Sequence, residues 1–375
     1  MSERRPIRVL VADDSLTMRS YLGQMIAAAP GLEVAGEARD GAEAITMTEA
    51  LLPDVISMDI RMPTLDGLAA IRQIMARRPT PTVVVSSLVE SEVDLSFQAL
   101  EAGALAVLPK PPARQDASFA QWQRQYINAL SAMAQVSVVR RWENHSAFEV
   151  STAPVERPLK PYKADAAIDV KGARPEVVAI GASAGGPTAL SELLRHLLPD
   201  YPAPIVIVQH LPDEFIDGLA RWLATVTLLP VCVASDRQVL QAGTVYVAPG
   251  GGHLKIARLG NRLITTLSED PIHQRYCPSI DVLLTSVAEV CGTTGVGIVL
   301  TGMGEDGAVG LKRLREAGGR TVAQSEASCT VFGMPGAAIA RGAVQQILSP
   351  AEMAMMLQRL RALPAHDSPM VSGTG

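Results

Sequence analysis

The stretch Ile-Arg-Val-Leu-Val-Ala-Asp-Asp-Ser, residues 7–15, decides the fold of the first third of the chain. It is a short apolar run that ends in two carboxylates. Four more apolar runs, separated by helical patterns, lie at residues 32–38, 54–58, 82–86 and 105–108. Because parallel neighbours need crossover connections, five strands interleaved with helices predict an α/β domain with a doubly wound parallel sheet.

Polar side chains stand where four of these runs end. They are Asp13 and Asp14 after the first run, Asp59 after the third, Ser86 at the end of the fourth and Lys110 after the fifth. The carboxyl ends of parallel strands converge on one crevice, so we expect these side chains to lie together. Three carboxylates at one edge repel one another unless a cation sits among them. Oxygen ligands of this kind suit Mg²⁺, which predicts a metal site at Asp13, Asp14 and Asp59.

Asp59 is the candidate acceptor of a phosphoryl group. It directly follows an apolar strand and precedes Met62-Pro63. A carboxylate that is held by a metal and flanked by the Lys110 ammonium is placed to attack a phosphoryl group, whose charge both cations neutralise. The alternative is that each aspartate caps a helix or a turn. That alternative explains any one of the carboxylates more easily than the whole set.

These residues resemble the response regulator receiver domain. The resemblance is carried by Val-Ala-Asp-Asp-Ser (11–15), Met-Asp-Ile-Arg-Met-Pro-Thr-Leu-Asp-Gly (58–67), Val-Ser-Ser (85–87) and Pro-Lys-Pro (109–111). It implies a flavodoxin-like fold, Asp59 as the site phosphorylated by a partner histidine kinase, and Asp13 and Asp14 as Mg²⁺ ligands. It further implies Ser86 as the hydroxyl that follows the phosphoryl group and Lys110 as its ion-pair partner.

Two positions depart from the receiver pattern. Val107 stands where many receivers carry a switching aromatic residue, and Arg61 places a cation two residues beyond the acceptor. The first departure argues against a readout through an aromatic rotamer. The second bears on how long the phosphoryl group survives.

A second centre begins at Gly-Ala-Ser-Ala-Gly-Gly-Pro, residues 181–187, between an apolar strand pattern and a helical pattern that runs through residue 198. A strand, a turn of small residues and a helix form the setting of a nucleophile elbow, in which glycines expose the serine hydroxyl. Ser183 is therefore a candidate nucleophile. The alternative is a glycine-rich turn with Ser183 as the helix N-cap. The glycine spacing excludes the dinucleotide fingerprint.

A nucleophilic serine needs a base and an acid that orients the base. His210 ends the apolar run at residues 205–210 and so falls at the strand edge where Ser183 also falls. His253 and His273 remain candidates for the rim of the site. The other histidines are explained as surface residues: His145 in a linker, His196 within a helical pattern and His366 in the tail.

Asp306 is the candidate orienting acid. It follows a third apolar strand, residues 296–300, in the flexible turn Thr-Gly-Met-Gly-Glu-Asp-Gly-Ala at residues 301–308. Glu305 is its rival, and a simple helix N-cap is the structural alternative. The order Ser, His, Asp along the chain differs from that of α/β-hydrolases. The sequence therefore predicts a Ser-His-Asp triad on a different doubly wound parallel sheet.

This half resembles the protein-glutamate methylesterase of bacterial chemotaxis, the CheB family. The motifs that carry the resemblance are Gly-Ala-Ser-Ala-Gly-Gly (181–186), Gln-His-Leu-Pro (209–212), Val-Ala-Pro-Gly (247–250), Cys-Pro-Ser-Ile-Asp (277–281), Leu-Thr-Gly-Met-Gly-Glu-Asp-Gly (300–307), Gln-Ser-Glu-Ala-Ser-Cys (324–329) and Phe-Gly-Met-Pro (332–335). It implies Ser183 as nucleophile, His210 as general base, Asp306 as orienting acid and the Met303 backbone N–H as oxyanion donor, with no cofactor for the esterase.

The resemblance also implies a substrate and partners. The family hydrolyses glutamate methyl esters on chemoreceptors and deamidates receptor glutamines, and a histidine kinase of the chemosensory array phosphorylates its receiver. Ala184 stands where the family often has threonine, and Cys277 where an arginine is common. Both departures bear on substrate contacts. Two other functions stay open: a phosphorylation-gated hydrolase of another acyl substrate, and a non-catalytic protein that binds receptors or kinases.

Composition narrows the class of protein. The formal net charge of −5 gives no basic footprint, so we expect no nucleic-acid partner. No run of about 18 apolar residues and no signal-peptide core are present, which predicts a cytoplasmic protein without membrane insertion. The 4 cysteines have no C-x-x-C spacing and are expected to be reduced thiols.

The chain divides into four predicted segments: a receiver domain at residues 1–134, a linker at 135–175, a methylesterase domain at 176–350, and a C-terminal helix with a flexible tail at 351–375. The linker carries four prolines among charges and holds no sustained period. Its Trp142 and Phe148 raise the hypothesis of a docking role. A further hypothesis is that the unphosphorylated receiver covers the Ser183 edge and that phosphorylation of Asp59 uncovers it.

Overall fold

The computed structural model describes residues 5–87, 90–136, 174–268 and 276–363. The first domain alternates strands and helices from its first element to its last. In chain order these are β1 (Ile7–Ala12), α1 (Leu16–Ala28), β2 (Leu32–Ala38), α2 (Gly41–Leu51), β3 (Val55–Met58), α3 (Gly67–Arg77), β4 (Thr82–Ser86), α4 (Glu90–Ala102), β5 (Ala106–Pro109) and α5 (Phe119–Met133).

The five strands form one parallel sheet in the order β2-β1-β3-β4-β5. This is the flavodoxin-like order, and it confirms the predicted doubly wound receiver fold. The order reverses beside β1, so the residues that follow β1 and β3 meet at the switch point. β1, β2 and β4 have the predicted ends, while β3 and β5 each begin one residue later than predicted.

The second domain is a larger α/β layer. Its elements are β6 (Val177–Ala182), α6 (Gly186–Leu194), β7 (Ile205–Gln209), α7 (Ile216–Val226), β8 (Val231–Val233), β9 (Val245–Val247), β10 (His253–Leu259), β11 (Arg262–Ser268), α8 (Ile280–Val290), β12 (Gly295–Val299), α9 (Ala308–Glu316), β13 (Arg320–Gln324), α10 (Met334–Ala340), β14 (Gln346–Leu348) and α11 (Pro350–Arg361). Seven strands form a parallel sheet in the order β14-β13-β12-β6-β7-β9-β8, and β10 and β11 form a separate antiparallel hairpin.

The strand order places the three candidate catalytic segments side by side. β6 lies between β12 and β7, so the chain leaves the sheet after three adjacent strands at the same carboxyl edge. The predicted doubly wound esterase sheet is thus confirmed. The helix predicted through residue 198 ends at Leu194, where the chain enters a turn in which the Leu197 N–H donates to the Leu194 carbonyl. Pro199 also disfavours helical geometry at Leu198.

Helix α11 covers one face of the second sheet. Its capping box at Ser349 and Glu352 fixes the first turn, and Met353, Met356 and Leu357 are buried in the hydrophobic core. The predicted boundary at residue 350 thus falls at the start of a helix that packs on this domain. The tail that the sequence predicts after this helix lies outside the described residues from residue 364 onward, as do the central linker residues 137–173 with Trp142 and Phe148.

The two domains pack against each other through α4. The Phe97 ring stacks on the Trp222 ring of α7, with centroids 5.6 Å apart. Thr188 Oγ1 of α6 donates to the Leu100 carbonyl at 3.1 Å, and an Arg195 guanidinium nitrogen lies 3.9 Å from Glu101 Oε1. Aromatic stacking and a shared apolar cluster make this a packed interface.

No helix within the described residues is both long and apolar enough to cross a bilayer.

Candidate functional site

The carboxylates Asp13, Asp14 and Asp59 meet at the switch point of the first sheet. One oxygen from each lies within 4.8 Å of the others, and Asp13 and Asp59 are almost fully buried. Asp59 Oδ1 is buried without a hydrogen-bond partner, and the buried Asp13 Oδ2 has the Lys110 ammonium 3.5 Å away as its partner. Buried carboxylate oxygens without a donor are strongly disfavoured unless a cation coordinates them. The three carboxylates, with the unpaired Asp59 Oδ1 among them, therefore fit a hard divalent cation such as Mg²⁺.

Lys110 lies at the same edge. Its Nζ donates to Asp59 Oδ2 at 2.8 Å and lies 3.5 Å from Asp13 Oδ2. Burial raises the pKa of Asp59 to about 6, against the lowering effect of the Lys110 ammonium. Burial is the largest single effect and lowers the pKa of Lys110, but the hydrogen bond to Asp59 and the negative charges of Asp59 and Asp13 together outweigh it, and the net shift is upward. Ser86 is buried at the end of β4, and its carbonyl accepts the Lys110 N–H at 2.8 Å, so residues at four strand ends lie at this edge.

Two aromatic side chains of α5 connect this site to the helix. Trp122 Nε1 donates to the carbonyl of Pro109, the residue before Lys110, at 2.8 Å. The Tyr126 hydroxyl donates to Ser57 Oγ, two residues before Asp59, at 2.9 Å. The two rings stack with centroids 5.1 Å apart. Helix α5 is therefore attached to both strands that carry the acceptor and its lysine.

Ser183 stands in the turn between β6 and α6. Its N–H donates to the Thr301 carbonyl at 3.0 Å, and its carbonyl accepts the Gly186 N–H at 2.8 Å. Gly185 is the N-cap of α6 and has φ +75°, a backbone conformation that favours glycine. The alternative that Ser183 caps the helix is therefore wrong.

His210 leaves β7 beside Ser183. Ala182 pairs with Gln209 across the two strands, and the His210 N–H donates to the Ala182 carbonyl at 2.9 Å. The His210 Nε2 lies 2.9 Å from Asp306 Oδ2. An ionised carboxylate only accepts, so Nε2 carries the proton in this pair. The other ring nitrogen, Nδ1, is buried without a hydrogen-bond partner and is the nitrogen left to act as a base.

Asp306 is held by the N-terminus of α8 as well as by His210. Its carboxylate accepts from the Ser279 hydroxyl at 2.9 Å, from the Ile280 N–H at 2.8 Å and from the Asp281 N–H at 3.0 Å. Burial raises the pKa of Asp306, but the hydrogen bond from His210 and the backbone donors outweigh it and lower the pKa overall. Asp306 thus stays ionised beside His210.

The structure decides between several candidates. Glu305 pairs with Arg341 at the surface, so the rival acid does not contact His210. Gly307, not Asp306, is the N-cap of α9. His253 is buried, and its Nδ1 accepts from the Ser279 N–H at 3.1 Å, which makes it a support of the α8 turn. His145, His273 and His366 lie outside the described residues.

Met303 occupies the turn beside Ser183. A methyl group at Gly302 would lie 2.7 Å from the Ser183 Cβ, so this backbone passes directly over the serine. Within the described part of the chain, the Met303 N–H donates no hydrogen bond. A free backbone N–H beside the nucleophile can donate a hydrogen bond to an oxyanion and so stabilise its charge.

Three residues of the site were missed by sequence reasoning. Gln209 Nε2 donates to the carbonyls of both Ser183 and His210, at 2.9 and 3.0 Å; the signal was a polar residue at the end of an apolar strand. Ser279 supports Asp306, and its signal was its place as the N-cap of a helix. Tyr276 stacks on the His210 ring, with centroids 4.5 Å apart, and no sequence signal indicated this contact.

Comparison with known proteins supports the assignment of both domains. The CheB methylesterase family model matches residues 178–357, and the response regulator receiver domain model matches residues 9–118. The protein-glutamate methylesterase/protein-glutamine glutaminase 4 of Myxococcus xanthus (strain DK1622) is 43% identical over 352 residues, which is 94% of this chain and 96% of the relative.

Two further relatives are similar. The protein-glutamate methylesterase/protein-glutamine glutaminase 3 of Anaeromyxobacter dehalogenans (strain 2CP-C) is 45% identical over 344 residues, which is 92% of this chain and 96% of the relative. The crystal structure of the Thermotoga maritima CheB methylesterase catalytic domain is 33% identical and covers 50% of this chain and 98% of that chain, with a TM-score of 0.48. The near full-length identity to the curated relatives shows that this chain belongs to the CheB methylesterase family, in the form in which a receiver domain precedes the methylesterase domain.

Proposed function

We propose that this chain is a protein-glutamate methylesterase and protein-glutamine glutaminase of chemosensory adaptation, and that phosphorylation of Asp59 controls it. The observation that carries the proposal is the 2.9 Å contact between His210 Nε2 and Asp306, placed one strand away from Ser183. The proposed substrates are methylated and amidated glutamyl side chains of chemoreceptors. The names of the relatives, and their coverage of nearly the whole chain, support this substrate class.

The catalytic steps follow from the geometry. Ser183 Oγ attacks the side-chain acyl carbon while His210 Nδ1 takes its proton, and the Met303 N–H donates to the developing oxyanion. The protonated His210 returns that proton to the departing methoxide or amide, which leaves as methanol or ammonia. Water, deprotonated by His210, then attacks the acyl-enzyme and releases the glutamate carboxylate and Ser183.

The receiver residues have separate roles. Asp13, Asp14 and Asp59 would hold Mg²⁺, which when bound neutralises charge on the phosphoryl oxygens. Asp59 attacks the phosphorus of the phosphorylated histidine of a partner kinase, and the bond to the histidine nitrogen breaks. Lys110 pairs with the new phosphoryl group, and the Ser86 hydroxyl donates to it. These roles support a cytoplasmic location, where the kinase is expected.

The packing of the two domains supports the hypothesis that the receiver regulates the enzyme by covering Ser183. Ala184 and Met303, which flank the nucleophile and supply the oxyanion donor, pack against the hydrophobic cluster of the first domain that contains Leu130 and Met133 of α5. The proposed domain division at residues 134 and 176 places this contact between a switch and a hydrolase. Phosphorylation of Asp59 then loosens the packing and uncovers Ser183.

The test is methanol release from a methylated receptor cytoplasmic fragment, measured with and without a small-molecule phosphodonor. Wild type, Ser183→Ala and Asp59→Asn are compared. We expect Ser183→Ala to lower kcat by on the order of 10⁶, and the donor to stimulate only proteins that keep Asp59. No release from folded wild type would reject the methylesterase assignment in favour of another acyl substrate or a binding role.

A further inference from the structure

Tyr276 lies flat against the catalytic histidine. Its ring is nearly parallel to the His210 imidazole, with an interplanar angle of 10° and centroids 4.5 Å apart. The residue comes from the segment before α8, distant in sequence from β7, and its side chain is half-buried. The stack therefore connects His210 to the segment that leads into α8, the helix whose N-terminus holds Asp306.

The other end of Tyr276 reaches the oxyanion turn. A methyl group at Gly304 would lie 2.9 Å from the Tyr276 hydroxyl oxygen, so the hydroxyl stands beside the residue that follows Met303. Gly304 has φ +83°, a conformation that already favours glycine. One side chain thus extends from the face of the base to the turn that carries the oxyanion donor.

This placement has two consequences for His210. The hydrogen bond from Nε2 to Asp306 leaves the imidazole free to rock about that contact, and a stacked ring on one face opposes such rocking. His210 also becomes positively charged when it takes the Ser183 proton, and a cation over an aromatic face is stabilised. Both effects favour the transition state over the resting enzyme.

We propose that Tyr276 is a positioning residue for the general base: its ring fixes the plane of His210 and supports the charge that His210 gains during acylation. The proposal rests on the proposed function, because it takes Ser183 and His210 as nucleophile and base. It assigns the effect to the aromatic ring and not to the hydroxyl.

The experiment compares Tyr276→Leu, which removes the ring, with Tyr276→Phe, which keeps it, in the full-length protein. The first readout is methanol release from methylated receptor fragment. The second is labelling of Ser183 by a fluorophosphonate, in which the serine oxygen bonds to phosphorus, fluoride leaves and His210 takes the serine proton. The second readout does not depend on the receptor substrate.

We expect Tyr276→Leu to lower kcat about tenfold with KM unchanged, and to slow fluorophosphonate labelling about tenfold. Tyr276→Phe should stay within about twofold of wild type in both readouts. A Leu variant that labels at the wild-type rate would overturn the proposal. So would a change confined to KM, because the ring would then be a wall of the substrate site.

A measurement on the wild-type protein keeps the proposal testable if the Leu variant does not fold. The His210 ring protons, assigned by their loss in His210→Gln, should show the upfield NMR shift that stacking on an aromatic face produces. A His210 signal without this shift would refute the stack in solution. Wild type that labels with fluorophosphonate but releases no methanol would reject the proposed substrate and leave the role of Tyr276 to be decided by labelling.

Discussion

Gly218 of α7 lies directly beneath Val93 of α4, so close that a methyl group at Gly218 would overlap Val93 Cγ1. The glycine thus permits the close contact between the receiver and the methylesterase domain. It does so inside a helix, where alanine is the better residue by about 1 kcal/mol. At position 218 the interface therefore favours glycine, whereas the helix favours alanine.

Gly218→Ala should raise the activity measured without phosphodonor. The added methyl opposes docking of α4 by about 1 to 3 kcal/mol, while the helix propensity favours a folded catalytic domain. We expect the basal rate of methanol release to approach the donor-stimulated rate. The double variant Gly218→Ala with Val93→Ala should restore the low basal rate. Unchanged basal activity in Gly218→Ala would show that this interface does not restrain the enzyme.

Asp59→Asn should change how the stability of the receiver depends on pH. The folded-state pKa of Asp59 is raised from 3.8 to about 6, so its stabilising contribution is complete below about 4 and is lost as the pH rises to about 6. Without Mg²⁺, the free energy of local unfolding of wild type should fall by up to about 3 kcal/mol over this range. Asp59→Asn should lack the part of that decrease that is due to Asp59, while Asp13, whose pKa burial also raises, still contributes.

Hydrogen exchange of peptides that cover β3 in the full-length protein measures this effect. Asp40→Asn, a change at the α2 N-cap outside the carboxylate cluster, is the matched control and should retain the wild-type slope. Added Mg²⁺ should flatten the slope of wild type, because a bound cation compensates the buried charge. Equal slopes in wild type and Asp59→Asn would contradict the prediction.

Asp306→Asn should reduce stability as well as activity, in contrast to Ser183→Ala. The carboxylate accepts from Ser279, Ile280 and Asp281, and an amide nitrogen in place of one oxygen would face donors. We expect kcat to fall by on the order of 10⁴ and the free energy of unfolding to fall by about 2 to 4 kcal/mol.

The lowered pKa of Asp306 also predicts that its contribution to stability is lost at low pH. The pKa of Asp306 is lowered in the folded state, so its contribution is present above the unfolded value of 3.8 and is lost as the pH falls below it. Urea denaturation at pH 7 and below pH 4 measures the difference between wild type and Asp306→Asn. The difference should shrink at the lower pH; a constant difference would show that the ionised form is not the stabilising one.

Trp122→Phe should weaken donor stimulation and leave basal activity unchanged. It removes the hydrogen bond to the Pro109 carbonyl beside Lys110 and keeps an aromatic ring in the stack with Tyr126. Val107 stands at the position of the usual aromatic switch. Helix α5 instead connects the acceptor strand β3 to the hydrophobic cluster against which Ala184 and Met303 pack. Tyr21→Phe, whose hydroxyl is buried without a partner, is the control. Full stimulation in Trp122→Phe would exclude this route.

The site residues that follow the ends of strands could be predicted from the sequence. Asp13, Asp59 and Lys110, and likewise Ser183, His210 and Asp306, each follow a recognisable apolar run, and parallel topology brings such positions together. The sequence did not predict Tyr276 or Ser279, because their roles arise from the approach of a segment distant in sequence from both β6 and β7. The three-residue strands β8 and β9 were also missed, since strands that short carry too little periodicity, and the hairpin of the seven-residue strands β10 and β11 was missed as well.

The orientation of the His210 ring has a consequence for what the enzyme can reach. Nδ1 is bonded to Cγ, the ring carbon attached to Cβ, so it lies nearer the main chain than Nε2 does. Nε2 is the nitrogen that contacts Asp306. If His210 is the base, as we propose, we expect the proton to be taken on the main-chain side of the ring and not on its outer side. An ester at the end of a flexible three-bond side chain can descend to that depth from a helix lying across the opening, whereas a peptide group within the helix cannot. We therefore expect the proposed enzyme to favour substrates whose acyl group lies at the end of a long, flexible side chain.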